Sequence, residues 1–142
     1  MGKSIYEIKG LALHELKQTS PLDQWFYEMV QKSTDELTPK DISRMLRQEI
    51  YLDLAMPCAW GELMEDPFCG EMYEGQMLEL LAKALADHPQ EKNIKAFRKL
   101  ENKIKESLEG HEWNCNREKE EFTEVFKNFS SLFRGTKGLI VE

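Results

Sequence analysis

The chain lacks most features that would tie it to a membrane, a cofactor or a disulfide framework. No apolar run approaches the roughly 18 residues that a membrane span requires. The opening MGKSIYEIKG has no apolar h-region, and Tyr6 stands where a myristoylation signal would need Ser or Thr. Cysteine is sparse: Cys58, Cys69 and Cys115, with no C-x-x-C pair, do not complete a disulfide or thiolate cage. From these absences a cytosolic chain with reduced thiols is expected, with no membrane partner. Only His14, His88 and His111 are present, and only His111-x-x-x-Cys115 has ligand spacing. A zinc site needs three or four ligands. No P-loop, G-x-G-x-x-G or G-x-S-x-G motif occurs. The expectation is no cofactor, no metal and no catalytic residue.

Positive charge is also in deficit. Lys and Arg number 19 against 26 Asp and Glu, a formal net charge of −7. Such a surface repels phosphate, which argues against a direct nucleic-acid partner and favours a cationic one. The deficit is local. Between Arg47 and Lys83 there is no base, but Glu49, Asp53, Glu62, Glu65, Asp66, Glu71, Glu74 and Glu79 all fall there. The rest of the chain sums to +1. These acids fit a steering patch for a cationic partner, and they equally fit separate solvated faces that confer solubility.

What is present is helical grammar. The 142 residues, 41% hydrophobic and 32% charged, suffice for one domain with its own core. Ser20-Pro21-Leu22-Asp23 and Thr38-Pro39-Lys40-Asp41 each read as a cap, a first-turn proline and an acid. Leu22, Trp25, Phe26, Met29 and Val30 form the first face, with Lys32 expected in that helix's last turn. Ile42, Met45, Leu46 and Ile50 form the next, in a helix expected to run to Ala55. Pro57 should break it and open a short helix with Trp60, Leu63 and Met64, which Asp66-Pro67 stops. A turn-rich connector follows to Gly75, then a helix with Met77, Leu78, Leu81 and Leu85, ended by His88-Pro89. Ile94, Phe97, Leu100, Ile104 and Leu108 form a further stripe, with Gly110 placed as its left-handed cap. The last helix starts near Asn116, carries Phe122, Val125, Phe126, Phe129, Leu132 and Phe133, and closes at Gly135. Near the start, Ser4-x-x-Glu7 reads as a capping box for one turn ended by Gly10, while Leu11–Leu16 fits helix or extended chain. The tail with Leu139-Ile140-Val141 either docks on the core or frays. The sum is an all-α single compact domain of about five to seven helices.

One acidic pattern reads as chemistry. Glu120-Glu121-x-x-Glu124 is E-E-x-x-E on a helix, the Mg²⁺-holding half-site of all-α nucleotide pyrophosphohydrolases, but no E-x-x-D follows it. Arg117, Lys119 and Lys127 interleave with these acids, as on a salt-laced exposed face. The stronger signal is the connector, where Glu62, Glu65, Asp66, Glu71 and Glu74 mix with Phe68, Met72 and Tyr73. Apolar anchors rimmed by charge are the anatomy of a protein interface, although the same apolar residues would also serve as the loop's plug into the core.

Lys3-Ser-Ile-Tyr-Glu-Ile-Lys-Gly10 resembles the opening of immunity proteins from bacterial contact-dependent growth inhibition systems. Leu37-Thr38-x-x-Asp41-Ile42-x-x-Met45-Leu46-x-Gln48 resembles their next segment, and Leu52 through Pro57, Ala59, Leu63, Glu65, Asp66-Pro67, Tyr73, Gly75 and Leu78 continue it. The resemblance covers residues 3–86; the family's early Trp is absent around His14 and Leu16, and Arg47 replaces a frequent Gly. It implies a bacterial cytoplasmic protein that binds the toxic C-terminal domain of a neighbour's surface effector in a 1:1 complex. Many such toxins are RNases with basic active sites, which an acidic protein can cover. Thr38, Asp41, Pro57, Pro67 and Gly75 are read as caps, breakers and turns. The expected toxin-binding residues are therefore Glu62, Glu65, Asp66, Phe68, Glu71, Met72, Tyr73 and Glu74. Two other readings remain open from sequence: the small Mg²⁺ enzyme and a helical adaptor for a partner that is not a toxin.

Overall fold

The computed structural model describes residues 2–133. The closure at Gly135 and the 136–142 tail lie outside them. Seven α-helices follow in order: α1 Ile5–Lys9, α2 Pro21–Met29, α3 Pro39–Gln48, α4 Leu52–Glu65, α5 Gln76–Asp87, α6 Ile94–Leu108 and α7 Asn116–Ser131. Short 3-10 turns at Leu13–Glu15, Thr34–Glu36 and Pro89–Glu91 link them, and no strand occurs among the described residues. The fold is all-α, as the periodicity predicts.

The starts of α1, α2, α3 and α6 are set by side chains that satisfy otherwise orphaned amides. Ser20 Oγ accepts from the Asp23 amide at 3.0 Å, and Asn93 Oδ1 from the Ala96 amide at 3.1 Å. In α1 the Glu7 carboxylate accepts from the Ser4 amide at 3.0 Å and hydroxyl at 2.9 Å, and the helix ends at Gly10 with φ 68°. Thr38 and Asp41 cap α3 reciprocally: the Asp41 amide donates to Thr38 Oγ1 and the Thr38 amide to Asp41 Oδ2, both at 3.1 Å. Asp41 does more than cap. Its buried carboxylate also accepts from Trp25 Nε1 at 2.9 Å and Lys32 Nζ at 2.6 Å, which ties α2 and its exit loop to α3. Lys32 thus lies three residues past the end of α2, not in its last turn. Burial alone would push the Asp41 carboxyl up, but the bonds from Lys32, Thr38 and Trp25 outweigh it and hold the group below its ordinary range.

Three boundaries differ from the sequence expectation. Helix α3 stops at Gln48 and does not reach Ala55, because Glu49 and Tyr51 adopt left-handed conformations, with φ 54° and 48°. Neither is Gly or Asn, so the break carries no local signal; each costs on the order of 1 kcal/mol or more. Tertiary contacts hold it: the Ile50 amide donates to the Met45 carbonyl at 2.9 Å, and Lys9 binds Asp53 at 2.9 Å above the Tyr51 ring. Second, Pro57 does not break a helix. It lies within α4, where it forfeits one backbone bond while Ala55, Met56, Ala59 and Leu63 around it are fully buried. Third, α6 ends with Glu109 in a right-handed conformation, and Gly110 is not left-handed.

Helix α3 packs on α4 and α5, α4 on α5 and α6, and α5 on α7. One buried cluster runs from Ile5 through Met45, Met56, Leu81 and Leu100 to Phe133. At one end Trp60, Phe97, Phe129 and Phe133 join α4, α6 and α7, with the Phe97 and Phe133 rings stacked at 4.2 Å. Phe126, predicted for the core, is only half-buried at its edge, whereas Phe129 is fully enclosed. Phe129→Ala should therefore cost about 3–5 kcal/mol in chemical denaturation, and Phe126→Ala clearly less.

The Asp41 network predicts an acid-side effect. A carboxyl held low in the folded state contributes stability that is present above its unfolded value, near pH 4, and is lost as pH falls through the lower folded value. Asp41→Asn should cost about 2–3 kcal/mol at neutral pH. Between neutral pH and strong acid its stability should fall less than that of the unmodified chain. A pH series of denaturation midpoints measures both.

Candidate functional site

The connector between α4 and α5 is pinned from within. Asp66 ends α4 in an extended conformation, as the following Pro67 demands, and its carboxylate accepts from the Phe68 amide at 3.0 Å. The Gly75 amide donates to the Phe68 carbonyl at 2.9 Å and the Met77 amide to the Cys69 carbonyl at 3.1 Å. Buried Gln76 turns its side chain back to accept from the Met72 amide at 2.8 Å. A Cβ on Gly70 would collide with the Tyr73 carbonyl. Gly75 has φ 88°, and a Cβ there would lie 2.6 Å from the Phe122 ring on α7.

This geometry sorts the predicted contact residues. Phe68 is 6% exposed. Its ring stacks on His111 at 3.9 Å and meets Trp113 and Phe122 at 5.3 and 4.9 Å. It is the loop's plug, which corrects the expectation of a partner-facing anchor. Met72 and Tyr73 are 75% and 52% exposed, two of the four large hydrophobic side chains on the described surface that are. Glu65, Asp66 and Glu71 are exposed, and Glu62 and Glu74 half-buried. Glu74 is occupied: its carboxylate bonds His111 Nε2, so the loop is clasped to the segment before α7. His111 is thus a packed, paired residue rather than a solvated one.

The acids of the base-free stretch are partly answered in space. Asp53 pairs with Lys9, Glu49 with His88 and Glu74 with His111. Glu62, Glu65, Asp66, Glu71 and Glu79 have no ion pair among the described residues. Their field is felt locally. Burial, then the charges of Asp66 and Glu62, pushes the Cys69 thiol up to about 11. Burial, then Glu62, raises Cys58 as well. Both thiols stay protonated at neutral pH, the opposite of an activated nucleophile.

Sequence reasoning missed how two acidic segments meet. The connector and α5 face α7 across an open cleft of about 610 Å³. Tyr73, Glu74 and Glu79 form one wall. Arg117, Glu118, Glu121, Glu124 and Val125 of α7 line the other, with buried Phe122 behind them. The Tyr73 hydroxyl donates to the Glu79 carboxylate, which pushes the phenol up to about 12. The ring is thereby fixed at the lip. Of the eight predicted residues only Tyr73 and Glu74 reach this cleft. Glu79 stood in the base-free stretch and Glu121 and Glu124 in E-E-x-x-E, but nothing local says that α5 packs on α7. Glu121 lies 3.8 Å from Arg117 one turn away, as the interleaved charges predict. Among the described residues no group of three or more His, Cys, Asp or Glu converges to hold a metal ion, and no helix is long and apolar enough to cross a membrane.

The cleft exists only while the connector stays seated on α7. Gly75→Ala adds both a left-handed strain and a clash with Phe122, and should destabilise the fold by about 1–3 kcal/mol. Gly75→Ala with Phe122→Leu should recover the clash but not the strain, which a double-mutant cycle of unfolding free energies will show.

A comparison with curated proteins and with solved structures finds no match. A family model does match: that of the CDI immunity proteins, over residues 7–100, from α1 through the connector and α5 into α6. That span is about two-thirds of the sequence and includes the segments that carry the resemblance except Lys3–Tyr6. The chain belongs to the CDI immunity protein family.

Proposed function

We propose that this chain acts in the bacterial cytoplasm as a stoichiometric 1:1 inhibitor of the C-terminal toxin domain of a contact-dependent growth inhibition effector. It has no turnover of its own, and residues 1–142 work as one domain. The toxin is a nuclease, an RNase in the simplest case, whose basic active-site region is covered. The observation that supports this most is the connector. In a chain of the CDI immunity family, a loop pinned by its own hydrogen bonds holds Met72 and Tyr73 out in water beside Glu65, Asp66 and Glu71. A rigid loop with exposed apolar side chains carries little ordering cost on binding, and the acids supply attraction to a groove built for a polyanion.

The charge of this face acts on encounter more than on folding. Glu65 and Glu71 are the informative pair, because Glu74 is held by His111 and its reversal would also disturb the loop. Co-expression with the toxin domain encoded beside this chain's gene should restore growth, and the purified chain should stop that domain's cleavage of RNA at one equivalent. Glu65→Lys with Glu71→Lys should slow association by roughly tenfold at low salt, and the difference should shrink as salt rises. The variant's unfolding midpoint should be unchanged, since exposed charges are usually worth under about 0.5 kcal/mol. Growth that stays arrested, or cleavage that continues at several equivalents, rejects the reading.

A further inference from the structure

We infer that the cleft between Tyr73 and α7 receives lysine or arginine side chains from a segment of the toxin, and that Glu121 and Glu124 on α7 are specificity-determining residues of that contact. The inference rests on the inhibitor reading above and adds a surface outside the connector. Two independent features define the occupant. The first is shape and polarity: an open cleft of about 610 Å³ is lined by half-buried Val125, by Tyr73 and by the carboxylates of Glu74, Glu79, Glu118, Glu121 and Glu124. Lysine and arginine match that profile, with apolar stems that can lie against Val125 and Tyr73 and charged heads that meet the carboxylates. The second is Tyr73, whose half-exposed ring is fixed at the lip by its bond to Glu79. A cation over an aromatic face gains further attraction that an apolar or anionic occupant would not. Arg117 lies 3.8 Å from Glu121 on the same helix, and the five carboxylates of the lining outnumber this one cation.

The position of α7 supplies the specificity claim. The connector wall falls within the family-matched residues 7–100, but α7, Asn116–Ser131, falls outside them. The cleft therefore combines a face carried by the family pattern with one that the pattern does not prescribe. Reversing Glu121 and Glu124 removes only the exposed pair of Glu121 with Arg117, since both acids are exposed and neither bonds a cap or the core.

The probe is the toxin domain encoded beside this chain's gene, titrated by calorimetry against the full chain, against Glu121→Lys with Glu124→Lys, and against Glu15→Lys with Glu28→Lys. The last pair makes the same change in net charge at exposed sites that share no residue with the cleft. The cleft pair should weaken binding at least about tenfold, and the distant pair by less than about threefold. Carbodiimide coupling of the native complex should join Glu121 or Glu124 to a lysine of the toxin domain, identified by mass spectrometry of the digest. Toxin bound equally well by all three chains, with no coupling at α7, overturns this inference and leaves the inhibitor reading intact. Failure of the unmodified chain to bind the toxin domain overturns both.

Discussion

The surface of this protein depends on one packing contact, the seat of the connector on α7. Phe68 enters a pocket of His111, Trp113 and Phe122, and Gly75 passes so close to Phe122 that no Cβ fits. Because Gly75 is also the residue before α5, this one approach fixes the register of α5 against α7, the exit of the loop and the direction of Tyr73. Everything polar at the site is secondary to it. The Glu74–His111 bond closes the same junction from the solvent side, where ion pairs are worth little by themselves but add to a contact already ordered by packing. A loop of mixed acids and glycine would ordinarily sample many conformations. Here the aromatic plug removes that freedom before any partner arrives.

That contact also governs the electrostatics. Counted along the chain, the stretch from Arg47 to Lys83 is uniformly acidic. In three dimensions Lys9, His88 and His111 return to Asp53, Glu49 and Glu74 from distant segments, so those acids act as structural ties. The uncompensated negative charge is displaced toward Glu65, Asp66 and Glu71 and, across the cleft, toward α7. Phe122 and Gly75 hold the connector and α7 together, so the carboxylates of both line one cleft.

Sequence reasoning reached the starts of α1, α2 and α3 because capping is local chemistry. Ser20 and Thr38 each satisfy an amide three residues ahead, and Pro67 stops α4 through its effect on Asp66 alone. It failed where tertiary contacts override local preference. Glu49 and Tyr51 take left-handed conformations that their side chains do not favour, and Pro57 is carried inside a helix by the burial of its neighbours. The site divided the same way. Met72 and Tyr73 stand exposed on the loop where the composition suggested anchors, but Phe68, of the same type and two turns of chain away, points inward. No pattern in ten residues separates an anchor from a plug. The distinction is made by what waits on the other side, and His111, Trp113 and Phe122 arrive from sequence 40 residues or more downstream.

The residues that carry the family resemblance are, in this structure, mostly occupied with the fold. Thr38 and Asp41 form a capping box whose carboxylate also gathers Trp25 and Lys32, Pro67 ends α4, and Gly75 makes the approach to Phe122. A carboxylate buried among three donors of its own fold is not presented to a partner, and a glycine chosen for a close approach has no side chain to offer one. Family membership therefore follows from a scaffold, and recognition from what the scaffold displays. The helix α7 sits at the border of the two. Its inner face, with Phe122 and Phe129, completes the core of the matched region, so it cannot be removed without opening that core. Its outer face, with Glu120, Glu121 and Glu124, makes no contact that the fold needs beyond the pair with Arg117. A helix held by one face and unconstrained on the other can change its outer residues at almost no cost in stability. That is the physical condition for a surface that must follow one particular partner while the fold beneath it stays the same.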